Sequence, residues 1–158
     1  MNGSSFEKRD EIGGIDFLVA NLHIYLPYTI VLFIELVIGT IGNSMVIISI
    51  VKSRELKSNS TFILITNLAI ADLFISFFSN SAHLVSMFLG RSFFRTHQTI
   101  CQILSSFYYV SAGVSLLTQL FLALNRFFLI FYSSLYVKLF SKKMVHMLNI
   151  FSWLFTFF

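Results

Sequence analysis

The sequence of 158 residues has few charged residues, one cysteine and one proline. Asp, Glu, Lys and Arg make up only 11% of the chain, whereas soluble domains carry about 25%, because their surfaces must stay hydrated. This shortage of charge excludes an ordinary soluble domain. The single cysteine, Cys101, excludes a disulfide within the chain. The single proline among 20 phenylalanines suits helices that face lipid better than a loop-rich fold.

What the sequence does have is long apolar runs, which give a mean hydropathy of +0.82. A helix that crosses a bilayer needs about 20 apolar residues. Lipid offers no hydrogen bonds to the backbone, so spanning segments are helices or strands of closed barrels, and runs this long exclude barrel strands of about 10 residues. We therefore predict an all-α, polytopic transmembrane bundle. Its tail is residues 1–24, and its spans are about 25–51, 62–89, 100–132 and 144–158.

The basic residues are concentrated in two of the polar gaps between these runs. The gaps at 52–61 and 133–143 hold six Lys and Arg, and the gap at 90–99 holds two. Lys and Arg near membrane-spanning ends favour the cytoplasmic side, so these two gaps are predicted to be cytoplasmic and the tail extracellular. The basic residues are not gathered on one soluble module, which argues against a nucleic-acid partner.

Polar residues inside the spans form two stripes, and a polar group in lipid is costly unless it has a partner or a wet cavity. The second span carries Asp72, Ser76, Ser79 and His83, and the third carries Ser105, Tyr108, Ser111, Ser115, Gln119 and Arg126. The stripes suggest a common hydrated interior. As an alternative, the serines bond to carbonyls of their own helix. Asp72 is different, because a buried carboxylate must be neutralised, paired or bound to a cation.

Short motifs occur in order along the four spans. They are Gly42-Asn43, Asn67-Leu68-Ala69-Ile70-Ala71-Asp72, Cys101, Asn125-Arg126-Phe127 and Trp153. In these motifs and their spacing, residues 26–158 resemble the first four helices of a rhodopsin-like G-protein-coupled receptor of seven helices, with the fourth helix truncated. The resemblance implies receptor activity, meaning ligand sensing coupled to a G protein.

The resemblance also implies roles for single residues. Asn43, Asp72 and Ser115 would form an interhelical polar network and half of an allosteric sodium pocket. Cys101 would pair with a cysteine in the second extracellular loop, outside this chain, and Trp153 would have a structural role. No other cofactor is implied.

The triplet Asn125, Arg126 and Phe127 would meet a heterotrimeric G protein. Alternatively, Arg126 is a snorkelling charge at the membrane boundary. Asn125 replaces the usual acidic residue and can offer only a neutral hydrogen bond, so a weaker resting restraint on Arg126 is expected. The stretch from Asn125 through Ser133 and Tyr136 to Ser141 is similar to the second cytoplasmic loop of melatonin-type receptors.

The ligand implied by the resemblance is not an amine, because Tyr108 stands where amine receptors place an aspartate. His83, Tyr108, Tyr109 and Gln102 would give an aromatic, hydrogen-bonding pocket rim. The same aromatic residues would also suit packing at the membrane interface. Glu35 in the first span is a further candidate partner for His83.

The completed receptor is expected in the plasma membrane, as a multi-pass protein. Helices five to seven lie outside this chain, so signalling by this chain alone would be incomplete. An alternative is a non-signalling chain that associates with full-length receptors and is retained in the endoplasmic reticulum. A transporter or channel subunit is a third possibility, suggested by Asp72. No enzyme is expected, because the four histidines lack metal-ligand spacing.

Overall fold

A computed structural model describes Val19 and residues 21–158, and these residues form helices without strands. The elements are α1 (Leu22–Lys52), α2 (Arg54–Ser58), α3 (Ser60–Leu73), a π-helix (Phe74–Ser79), α4 (Asn80–Thr96), α5 (Gln98–Phe131), α6 (Ser133–Leu139) and α7 (Lys142–Phe157). The predicted all-α transmembrane bundle is confirmed. Most of the predicted tail lies outside the described residues.

Among the described residues, three helical stretches are long and apolar enough to cross a membrane. They are Leu22–Lys52, Ser60–Leu89 and Gln98–Phe131, and we call them the first, second and third spans. The predicted fourth run corresponds to α7. With 16 residues, α7 is shorter than each of the three spans. Large apolar side chains are exposed along all of these helices, as expected where lipid rather than water is the solvent.

Ser53 and Asn59 flank α2, the short helix that lies between the first span and the second. Ser53 and Asn59 both leave the helical conformation, with ψ angles of 121° and 128°. The Ser53 hydroxyl accepts a hydrogen bond from the Leu56 amide at 3.4 Å, and Asn59 Oδ1 accepts one from the Thr61 amide at 3.0 Å. Each side chain satisfies an amide that the start of a helix leaves unpaired. The connection is therefore tight, and it places α3 directly beside α1.

The π-helix interrupts the second span after Asp72. Its wider bonding pattern accommodates about one extra residue, so the residues that follow are rotated relative to an uninterrupted α-helix. Ser76 and Ser79 are buried, whereas His83 is exposed. Ser79 and His83 nevertheless line the same cavity, and Ser76 donates a hydrogen bond to the Asp72 carbonyl at 2.8 Å.

The two ends of the bundle differ in packing. The "basic end" carries Lys52, Arg54, Lys57, Lys138, Lys142 and Lys143, and its apolar core consists of Leu64, Phe140 and Val145, with Tyr136 and Phe128 packed against it. The "cavity end" carries His83, Cys101 and Tyr108.

Between the two ends, glycines allow helices to approach closely. A Cβ atom at Gly113 would lie 2.6 Å from Thr156 Cγ2, and one at Gly39 would overlap the Ser76 side chain. Small residues at such crossings let backbones of membrane helices pack together. Gly39 therefore lets the first span pack closely against the π-helix, and Gly113 lets α5 pack closely against α7.

Candidate functional site

Asn67 joins three helices in the interior. Its side chain is 7% exposed. Asn67 Nδ2 donates to Thr118 Oγ1 on α5 at 2.8 Å, and the indole Nε1–H of Trp153 on α7 donates to Asn67 Oδ1 at 2.9 Å. Thr118 also donates to the carbonyl of Val114 at 2.7 Å. Both groups of the amide are thus satisfied by neighbouring helices, as a buried amide requires.

Asp72 lies one turn further along the same interior. Ser115 Oγ donates to Asp72 Oδ1 at 2.9 Å, so the structure brings these two predicted site residues together. The Gln119 amide donates to Ser115 Oγ at 3.4 Å. Asn43, the third predicted member, instead donates to the carbonyl of Gly39 in its own helix at 2.9 Å. The interhelical contact in the described structure is therefore a pair, Asp72 with Ser115.

The fit of these residues to a sodium ion is limited. The Asp72 carboxylate and the Ser115 hydroxyl supply oxygen, which hard cations prefer. Within the described part of the chain, no group of three or more His, Cys, Asp or Glu side chains is placed to hold a metal ion. The two oxygens fit part of a cation shell, and the other ligands would have to come from elsewhere.

Asn125 is anchored away from its neighbour Arg126. It is 1% exposed, and its Oδ1 accepts a hydrogen bond from Thr61 Oγ1 of α3 at 3.0 Å. Its Nδ2 is buried and has no hydrogen-bond partner among the described residues. Arg126 and Phe127 are exposed. The sequence suggested a neutral hydrogen bond that restrains Arg126, but the hydrogen bond present here connects Asn125 to α3.

Tyr136 of α6 lies in the segment between α5 and α7 and contacts the start of α3. Its hydroxyl lies 3.5 Å from Ser60 Oγ. The hydrogen bond with Ser60 lowers the pKa of the Tyr136 phenol below its ordinary value, because the bond favours the charged form. Tyr136 also stacks on Phe140, with ring centroids 5.7 Å apart. The second loop at the basic end is therefore held against the start of α3.

At the cavity end, α5 and the second span line an open cavity of about 280 Å³. Its lining comprises Ser79, Ala82, His83, Cys101, Leu104, Ser105, Tyr108 and Tyr109. His83 and Tyr108 meet edge to face, with centroids 6.4 Å apart, and Tyr108 meets Tyr109 at 5.6 Å. The structure thus brings the three predicted pocket residues together. None of these lining residues is Asp, Glu, Lys or Arg.

Other sequence candidates take different positions. Gln102 is exposed, and its carbonyl accepts from Ser106 at 2.8 Å in the same helix. Cys101 has a free thiol. Glu35 is exposed and makes no hydrogen bond with His83 in the described structure. Sequence reasoning missed Thr118 as a partner of Asn67, although its spacing from Ser111 and Ser115 places all three on one helical face.

Comparison with known proteins identifies the class to which this bundle belongs. Residues 42–158 match the family described as "7 transmembrane receptor (rhodopsin family)". The chain therefore belongs to the rhodopsin family of seven-transmembrane receptors, and the resemblance predicted from its motifs is confirmed. It follows that the chain is part of a multi-pass membrane protein. The likeness of its second loop to melatonin-type receptors stays a prediction.

Individual relatives are similar over most of this chain. It is 30% identical to "Protein trapped in endoderm-1" of Drosophila melanogaster, over 73% of this chain and 29% of the relative. It is 31% identical to "G-protein coupled receptor 84" of Bos taurus, over 74% and 29%, respectively. It is 27% identical to "Neuropeptide receptor 15" of Caenorhabditis elegans, over 82% and 38%. The chain thus spans about 29% of the length of the first two relatives.

Proposed function

We propose that this chain is the first part of a receptor that couples ligand binding to activation of a heterotrimeric G protein at the plasma membrane. The observation that carries the proposal is the arrangement at Asn125 and Arg126. Asn125 is buried and bonded to α3, while Arg126, the next residue, is exposed at the basic end. Because Asn125 is held by α3, a change in helix packing would move the neighbouring Arg126, which is free to contact a partner protein.

The ligand would bind at the cavity end. The cavity lining offers hydroxyl, imidazole and aromatic groups but no carboxylate, so an ammonium ligand would lack the charge partner it needs. We therefore propose a non-amine ligand that uses aromatic contacts and hydrogen bonds to His83, Tyr108 and Tyr109. The ligand would bind more tightly to one of two packing arrangements of α5 against the second span, and its binding would therefore favour that arrangement.

Between these two regions, Asp72 and Ser115 would hold an allosteric sodium ion. The carboxylate supplies the charge and the hydroxyl supplies a second oxygen, and the remaining ligands would come from later helices or from Asn43 in a rearranged side-chain conformation. Such an ion would favour one packing of the helices over the other. Cys101, in turn, would pair with a cysteine of the second extracellular loop.

The test of this function is G-protein nucleotide exchange driven by a receptor that continues this chain through its seventh helix. We expect Arg126→Ala to reduce exchange at least tenfold without lowering surface expression. Lys138→Ala, which removes another exposed positive charge at the same end, serves as the matched control and should change exchange less than twofold. Equal loss in both variants would reject Arg126 as the coupling residue.

A second candidate is a non-signalling chain that associates with full-length receptors and retains them in the endoplasmic reticulum. The favouring observation is the open side of α5, where Leu116 and Gln119 are exposed, although a polar amide in lipid is costly. Co-purification of this chain with a full-length relative, together with loss of that relative from the cell surface, would support this candidate. Normal surface delivery would reject it.

A further inference from the structure

Gln119 adds a third side chain to the contact between Asp72 and Ser115. Its Nε2 donates to Ser115 Oγ at 3.4 Å, and Ser115 Oγ in turn donates to Asp72 Oδ1 at 2.9 Å. Among the described residues, the Gln119 side chain forms no other hydrogen bond, so its amide oxygen Oε1 is without a partner there. Gln119 lies within the third span. Because a polar group inside a membrane span is costly, its presence there points to a function.

The hydrogen bond from Ser115 to Asp72 conflicts with a cation held between these two side chains. The Ser115 hydroxyl points its proton at the carboxylate, whereas a hydroxyl that binds a cation presents an oxygen lone pair to it. A positive ion between the two oxygens repels a proton that is directed into the same space. Sodium binding between Asp72 and Ser115 therefore requires the hydroxyl proton to turn toward a different acceptor.

Two acceptors lie one helical turn from Ser115 along α5. One is the carbonyl of Ser111, which accepts the backbone N–H of Ser115 within the helix. Thr118 donates to a carbonyl of this kind, that of Val114, at 2.7 Å, so the Ser111 carbonyl is the competing candidate. The other acceptor is Oε1 of Gln119, which has no partner among the described residues. In an apolar interior, an unpaired acceptor gains more from a new hydrogen bond than a carbonyl that already has one, which favours Gln119.

We propose that Gln119 is a positioning residue for sodium, whose side-chain amide turns over and accepts the Ser115 hydroxyl proton when the ion binds. This inference rests on the sodium site proposed above and assigns to that site a third side chain, which acts through Ser115. A half-turn of the amide exchanges Oε1 and Nε2 with little change in their positions, so the rest of the side chain stays in place. Without sodium, the amide donates to Ser115 and the hydroxyl stays directed at Asp72.

The test uses nitrogen–proton correlation spectra of the full chain in bicelles, with choline chloride replaced by sodium chloride at constant ionic strength. The glutamines of the chain are Gln98, Gln102 and Gln119, and Gln119→Met identifies the side-chain NH2 signal of Gln119. We expect sodium to shift this signal in a saturable manner, because its N–H group no longer donates to Ser115. The NH2 signal of Gln98, at the start of α5, should not respond.

Two substitutions test the inference and the sodium site separately, with sodium affinity measured from the backbone amide signal of Ser115. Gln119→Met keeps the side-chain length and removes the amide, so it should weaken sodium affinity at least threefold, whereas the matched control Gln98→Met should leave it unchanged. Equal affinity in Gln119→Met, with a response that Asp72→Asn abolishes, would overturn the inference alone, because the Ser115 proton would then turn to its own helix. A response that persists in Asp72→Asn, or no response in the unsubstituted chain, would overturn the sodium site and the inference together. Circular dichroism establishes that each variant is helical.

Discussion

The basic end and the cavity end of the bundle are held together differently. At the basic end and just below it, side-chain hydrogen bonds connect separate helices, from Asn67 to Thr118 and Trp153 and from Thr61 to Asn125. At the cavity end, aromatic edges meet around an opening, and Tyr109 is 73% exposed.

This difference shows how few contacts fix helices in lipid. Apolar side chains gain little from each other when lipid tails are equally apolar, so specific packing and interhelical hydrogen bonds decide which helices associate. We therefore expect substitutions near Asn67 to destabilise the bundle much more than substitutions at the cavity. The predictions below test this expectation, from the largest effect to the smallest.

Replacing Asn67 should have the largest effect. Asn67→Leu removes two interhelical hydrogen bonds and leaves the Trp153 indole N–H without its acceptor. We expect the free energy of unfolding to fall by about 2–3 kcal/mol, measured by circular dichroism during denaturation with sodium dodecyl sulfate in mixed micelles. Ser106→Ala is the control, since its hydroxyl bonds only within its own helix. Similar losses in the two variants would contradict the role of Asn67.

Adding a methyl group at Gly113 tests the close approach of α5 and α7. The new Cβ would lie 2.6 Å from Thr156 Cγ2, and overpacking of this kind costs about 1–2 kcal/mol. Gly42→Ala is the matched control, because open space surrounds that position. The same denaturation experiment should show a loss for Gly113→Ala alone. A stabilised Gly113→Ala variant would show that these helices are not packed as described.

Thr61→Val tests the hydrogen bond that holds Asn125. The substitution keeps the side-chain shape and removes the donor to Asn125 Oδ1, so we expect a loss of about 1 kcal/mol. In a complete receptor, the freed Asn125 should also raise basal nucleotide exchange by about twofold to threefold, because α5 is less restrained. Thr66→Val, whose hydroxyl bonds to Phe62 of its own helix, is the control. Unchanged stability and basal exchange would exclude a restraint through Thr61.

Tyr109→Leu should have the smallest effect on stability. The ring is largely exposed and contacts Tyr108 only at its edge, and surface substitutions of this kind change stability by no more than about 0.5 kcal/mol. In a complete receptor, the same variant should weaken ligand binding at least threefold. A loss of stability as large as that of Asn67→Leu would remove the distinction between the two ends.

Much of this architecture could be predicted because lipid makes the sequence easy to interpret. Apolar runs of sufficient length must be helices, and the few polar residues inside them mark the interior. Asp72 and Ser115 were predicted to share a network, and the structure places them 2.9 Å apart. The resemblance to the family rested on five short motifs in order. Long runs and ordered motifs are properties of the chain itself, so no tertiary information was needed.

The remaining features depend on tertiary packing. The segment Phe-Ile-Ser-Phe-Phe-Ser at 74–79 contains no glycine or proline, so nothing in its composition predicts a π-helix. Asn43 bonds to its own helix, and Tyr136 reaches Ser60 across 76 positions. The way the helices cross determines which residues become partners. The spacing of residues along one helix does not predict these crossings.

The most direct measurement is the nitrogen–proton correlation spectrum of the full chain in bicelles. The chain has one tryptophan, so Trp153 gives a single indole N–H signal. If Trp153 donates to buried Asn67, this signal should resist exchange with deuterated water, and it should shift and lose protection in Asn67→Leu but not in Tyr109→Leu. An indole signal that exchanges rapidly in the unsubstituted chain and does not respond to Asn67→Leu would contradict the packing of the three helices around Asn67.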